Sequence, residues 1–248
     1  MSDSDSLRGR GRAGFTFAVR EVILIVTGVL IALSLESLWQ SRSERAAEED
    51  LLLGLRDEFV ENSASLDRWL GLHERVVTTA EEFIAKVEGV PEGQRVIVPD
   101  SVIAEMARTP TYDPELTSLD AAFNSGQISL IRSVEIQRAL ASWTRLLTDA
   151  QEEEQRGVDL VYSRLLPHLG AATDLGPAMS WLVSDVRRVM RGLPGDGVPS
   201  TSSSVVAGGE LANLLWVRYR LSSAASNELE ILRTGLDEVL ALLEAELH

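Results

Sequence analysis

Apolar residues run almost unbroken from Val22 to Leu35, interrupted only by Thr27, Gly28 and Ser34. Beyond residue 50 they thin to one every three or four positions. The two patterns ask for different surroundings. A helix that is apolar on every side needs lipid or a deep core, whereas a 3–4 spacing puts one apolar stripe against a partner helix. At the helical rise, Val22 to Leu35 covers about 21 Å, short of a ~30 Å hydrocarbon core. Extended from Phe17 to Trp39 it covers about 33 Å, with Arg20 reaching back to the headgroups and Trp39 suited to the opposite interface. We read residues 20–39 as a single membrane-spanning helix. A cleavable signal peptide is the competing reading, because Ala32-Leu33-Ser34 suits a small-residue cleavage site, and a buried core helix is the third. The helical pattern continuing past that site favours the anchor.

Within the span, Gly28 and Ala32 stand four residues apart with Thr27 beside them, so one face is small. Such faces let membrane helices approach closely. Gly28, Ala32 and the interfacial Trp39 are therefore the candidate partner contacts, toward lipid, toward other membrane subunits or toward a second copy.

The tail before the span, residues 1–19, is rich in Gly, Ser and Arg, and its composition predicts disorder. Gly9, Gly11 and Gly14 match a dinucleotide-binding spacing, but no strand precedes them, so that reading fails. Arg8, Arg10, Arg12 and Arg20 precede the span and Arg42, Arg45 and Arg56 follow it. That bias favours a cytoplasmic amino terminus in the inner membrane and a periplasmic body.

After the span, residues 40–50 are polar all round and read as a stalk. Residues 51–248 read as a helical bundle. The first stripe is Leu52, Leu55, Phe59, Leu66, Trp69/Leu70, Val76/Val77, Ala80, Phe83/Ile84 and Val87, with Asn62 and His73 filling its gaps. Gly89 to Pro99 breaks this helix, leaving a short extended segment at Arg95–Val98. Asp100 or Ser101 is placed to cap a helix through Arg108, and Asp113-Pro114 predicts a helix start, ended near Asn124 by Gly126. A second long helix, capped by Ser133, runs toward Leu166 on the stripe Ile136, Leu140, Trp143, Leu147, Ala150, Val158, Val161 and Leu165. Glu152-Glu153-Glu154 on it reads as a solvated face. Pro177 opens a shorter helix, and residues 193–209 read as a mobile linker. The last helix spans about Glu210 to Leu247. The expected fold is all-α: one transmembrane helix, then an extended bundle built on three long helices, with no convincing sheet.

Charge and composition narrow the function. The net charge is −15, while residues 1–21 carry four Arg against three acidic residues. The remainder is thus at −16, which disfavours nucleic acid and anionic headgroups. There is no cysteine, hence no disulfide framework and no thiolate metal site. His73 is followed by Glu74, but the position a zinc motif would fill with histidine is Val77. Neither a phosphate-binding loop, a nucleophile elbow nor a calcium loop is present, so no catalytic, cofactor-binding or metal-binding residue is assigned and a non-enzymatic role is expected.

Two stretches together resemble a bacterial family of single-pass membrane proteins, a domain family of unknown function. The first is R-E-V-I-L-I-V-T-G-V-L-I-A-L followed by Trp39, with Glu36, Ser37 and Leu38 where the family has Asn-rich polar residues. The second is L-T-S-L-D-A-A-F-N-S-G-Q-I-S-L-I, Leu116 to Ile131, leading into I-Q-R-A-L. The resemblance implies a helical ectodomain on one anchor and brings no activity with it. The expected role is a structural or accessory subunit of a larger inner-membrane complex of respiratory, photosynthetic or transport type. The alternative is a periplasmic sensor or ligand-binding protein that signals through a membrane partner.

Overall fold

The structure, a computed structural model, describes residues 7–193 and 198–248, and within the first helix the side chains of Leu24 and of residues from Val26 onward. Helices α1 (Leu7–Glu88), α2 (Asp100–Ala107), α3 (Thr117–Ser125), α4 (Val134–Leu160), α5 (Leu166–Ala172), α6 (Gly176–Val189) and α7 (Gly209–Leu247) account for most of it. A 3₁₀ turn lies at Gln127–Leu130 and a π turn at Val161–Leu165, and two strands, β1 (Arg95–Pro99) and β2 (Ser202–Val206), complete the order. The chain is predominantly α-helical and divides into two compact units, Met1–Leu52 and Leu53–His248.

In the first unit the tail expected to be disordered is helical from Leu7 onward, and residues 1–6 lie outside the described residues. Extending an existing helix adds a hydrogen bond for each residue fixed, so a polar tail joined to a helix follows it more readily than its composition suggests. Among the described residues no helix is long and apolar enough to cross a membrane. The side chains of residues 20–23 and of Ile25, where the predicted span begins, lie outside that set.

The second unit is built on the later part of α1 with α4 and α7. The predicted stripe of α1 is buried at Leu55, Phe59, Leu66, Val76, Ala80, Phe83, Ile84 and Val87. Phe59 meets Trp143 of α4 with ring centroids 4.7 Å apart. On α7, Leu214, Leu221, Ala225, Leu229, Leu232, Leu236, Val239 and Leu243 are buried as the 3–4 spacing predicts, but Val217 is exposed and Arg218 takes its place. At Gly235 a Cβ would come within 2.9 Å of Leu146 Cδ1, so α7 and α4 pack closely there.

Four local expectations change. The linker at 193–209 contains β2, which pairs antiparallel with β1 in a register that sets Val96 opposite Val205. Val96, Val98 and Val205 turn inward to Phe83, Val87 and Ile103, while Ile97 faces out, so the ribbon's period of two supplies one core face. One end is tied down by the Gly93 and Ala207 amides donating to the Ala207 and Gln94 carbonyls, and the other by the Asp100 amide donating to the Thr201 carbonyl, each at 2.8 Å. Asp100 does not cap α2; its carboxylate instead accepts from the hydroxyls of Thr201 and Ser203. Finally, α3 starts at Thr117, not at Pro114, because its free amides are met from another helix: Glu58 accepts from Ser118 and Leu119 at 2.5 and 3.1 Å. Gly126 ends α3 at φ 76° as expected, and Ser133 caps α4. That helix does not end at Leu166 as expected: through the π turn at 161–165 it passes Pro167 and continues as α5 to Ala172.

Candidate functional site: a buried arginine–carboxylate cluster beside an apolar cleft

Four elements of the second unit bring charge together in its interior. Helix α2 carries Glu105 and, at its carboxyl cap, Arg108; α6 contributes Asp185, α1 Arg75 and α7 Arg218. Arg108 donates through Nε and Nη2 to the two oxygens of Glu105 at 2.7 and 3.0 Å, and through Nη2 to Asp185 Oδ2. Arg75 Nη2 donates to Glu105 and, at 3.2 Å, to the same Asp185 oxygen. Arg218 donates to the Arg108 carbonyl, which the extended backbone at the end of α2 leaves without a helical partner. Asp185 Oδ1 and Arg218 Nε are buried with no hydrogen-bond partner.

Burying charges costs several kcal/mol per ion, and mutual attraction restores this only where geometry is good and donors are matched. The cluster therefore fixes how α1, α2, α6 and α7 meet more than it adds net stability. Burial opposes the Arg108 charge, but the hydrogen bonds and charges of Glu105 and Asp185 outweigh it and hold its pKa above the ordinary arginine value. At Arg218 burial wins, pulling the pKa down to about 10 against the opposing charge of Glu105. Both stay cationic at neutral pH. Three guanidiniums face two carboxylates here, a local excess of one positive charge in a chain of net charge −15.

Beside the cluster lies a cleft of about 210 Å³ in which α1, α2, α6 and the π turn converge. Its lining is mostly apolar, with Arg108, Thr109 and Tyr162 as the polar residues; Leu72, Ala107 and Arg108 are buried, whereas Tyr162 and Met190 are largely exposed. Tyr162 sits on the π turn, an irregularity that recurs at functional positions because it re-aims side chains.

A second set of buried polar groups holds the irregular segment 109–116. Glu154, predicted to be solvated, is buried: its carboxylate accepts both His73 Nε2 at 3.0 Å and the Tyr112 amide at 3.0 and 3.1 Å. Tyr112 donates its hydroxyl to the Asn62 carbonyl, and the Asn62 amide pairs with the backbone of Glu115 at 2.7 and 3.0 Å. The run Glu152–Glu154 thus splits, because only its third member falls on the stripe shared by Ala150 and Gly157. Every member of this set has a partner, which is the arrangement expected of a structural polar seam. Among the described residues no group of three His, Cys, Asp or Glu side chains is placed to hold a metal ion.

The candidate partner contacts lie in the other unit. Gly28, Ala32 and Trp39 are exposed, Trp39 to 77 %, and a Cβ at Gly28 would meet nothing within 4 Å. The arginine–carboxylate cluster was not among the residues assigned from sequence. Its trace there is a charged residue on an apolar stripe: Arg218 between Leu214 and Leu221, and Asp185 one turn after Trp181. No protein-family model matches this chain, and no curated protein or solved structure is significantly similar to it.

Proposed function

We propose that this chain is a non-enzymatic accessory subunit of a larger inner-membrane complex, held by one transmembrane helix at residues 20–39 with its amino terminus cytoplasmic and the Leu53–His248 unit periplasmic. The observation that carries this reading is the exposure of the first unit's apolar residues. Leu24, Val26, Val29, Leu30, Ile31, Leu33, Leu35, Leu38 and Trp39 are each at least 50 % exposed. Scattered exposed apolar residues are ordinary, but a contiguous set is not. Val29, Leu30 and Ile31 point about 100° apart around the helix, so no single protein face covers them all and a surrounding apolar medium does. The arginine bias before the span supports the orientation. The likeness of the span and of the Leu116–Ile131 corner to single-pass proteins with helical ectodomains supports the architecture. A reporter fused after His248 tests it: activity restricted to the periplasm is expected, and cytoplasmic activity overturns both orientation and localisation.

A periplasmic ligand-binding role is the second reading, favoured by the cleft beside Arg108.

A further inference from the structure

We propose that the cleft between α1, α2, α6 and the π turn binds a small amphipathic carboxylate, its apolar body in the cleft and its carboxylate on Arg108. The body follows from the lining. Trp69, Leu72, Leu182 and Val186 offer apolar surface and no competing charge. An apolar cavity of about 150 Å³ takes a benzene ring. A volume of about 210 Å³ accordingly suits an indole ring or a chain of about eight carbons.

The head group follows from Arg108. Arg108 is only 5 % exposed and is one of the residues that line the cleft. Its Nε and Nη2 are committed to Glu105 and Asp185, while Nη1 makes no hydrogen bond among the described residues. An arginine carries five N–H donors, so two remain at Nη1 for a ligand. Counting Arg108 itself, the cluster holds three guanidiniums, Arg75, Arg108 and Arg218, against two carboxylates, a balance that disfavours a cationic head group. One nitrogen suits a monoanionic carboxylate better than a phosphate dianion, which calls for several donors. Met190 and Tyr162 at the rim are exposed and adaptable enough to fold over the body.

This site lies wholly within the second unit and does not depend on the membrane anchor. Its test is calorimetric titration of the full-length protein with indole-3-propionate and with the matching neutral alcohol, blanked against protein-free medium. Saturable binding of one acid per chain is expected, at least tenfold tighter than the alcohol, because the charge-assisted bond to Arg108 is lost with the carboxylate. Val186→Trp fills the cleft from its rim and is expected to weaken binding at least tenfold with an unchanged melting temperature. Arg108→Lys removes the Nη1 donors, but it disturbs the buried cluster as well; the alcohol and Val186→Trp keep the outcome independent of that variant's folding. Equal affinity for acid and alcohol overturns the head-group assignment, and no saturable binding, or binding unchanged by Val186→Trp, overturns the site.

Discussion

Tyr112 reads out the buried polar seam through its proton. Burial pushes its pKa well above the ordinary phenol value, Glu154 adds to the rise, and Arg233 opposes it. Above about pH 10 the unfolded chain loses this proton while the folded chain keeps it, so the folded state binds more protons and stability falls as pH rises. The fall contributed by one such group approaches about 1.4 kcal/mol per pH unit. Arg218, held down to about 10 by burial, acts in the opposite sense over the same range. The two are separated by comparing urea unfolding of the wild type with Tyr112→Phe from pH 9 to 11.5. The variant is expected to be about 1 kcal/mol less stable at pH 9, having lost the bond to Asn62, and to lack Tyr112's downward contribution to the slope. Identical slopes would remove Tyr112 from the account. At this scale the sequence is half legible. Asn62 and His73 show as gaps in the α1 stripe, and Arg218 as a charge between leucines. What satisfies each is a residue tens to more than a hundred positions away, and periodicity carries no information about that.

Helices α1, α4 and α7 are legible because each repeats its apolar period over many turns, and Gly126 because only a positive φ explains it at that position. The boundaries that differ are those where another element intervenes. Asp113-Pro114 has the local form of a helix start, yet Glu58 satisfies the first amides of α3 three residues later. Ser202–Val206 has the composition of a linker, yet Asp100 and β1 give its polar groups partners. Gly71 offers an element-scale test. It lies exposed within α1, and a Cβ there would meet nothing within 4 Å. Gly71→Ala should therefore stabilise the fold by about 0.5–1 kcal/mol, through helix propensity alone. For a unit of this size that is a rise of about 1–4 °C in Tm. Gly89→Ala is the contrasting variant, since its Cβ would sit 3.0 Å from the Ala85 carbonyl oxygen, and it should bring no gain. A drop in Tm for Gly71→Ala would mean that this face of α1 is covered by something outside the chain.

For the whole molecule, the question is what the small face of the first unit meets. If residues 20–39 cross the membrane as proposed, small residues at Gly28 and Ala32 would let a partner helix approach closely in lipid, where the hydrophobic drive between helices is absent. Gly and Ala are also common in membrane helices for no such reason, so spacing alone does not decide. The substitution is a simple one: among the described residues, no atom outside the local helix backbone and the adjoining residues lies within 4 Å of a Cβ at Gly28, and Ala32 is exposed. Replacing both with Leu thus adds apolar bulk without crowding the chain's own atoms. It also raises helix propensity at position 28 and makes the proposed span more apolar. Insertion and folding are expected to be unchanged, as followed by membrane fractionation and by the melting temperature. Co-purification of partner chains, or self-association, in mild detergent is expected to fall at least tenfold, since a leucine at each small position holds the helices apart. Partners retained in full by the double variant, with insertion intact, would show that the small face is not the contact. An accessory role would then have to be sought on the Leu53–His248 unit, where the cleft beside Arg108 is the first surface to probe.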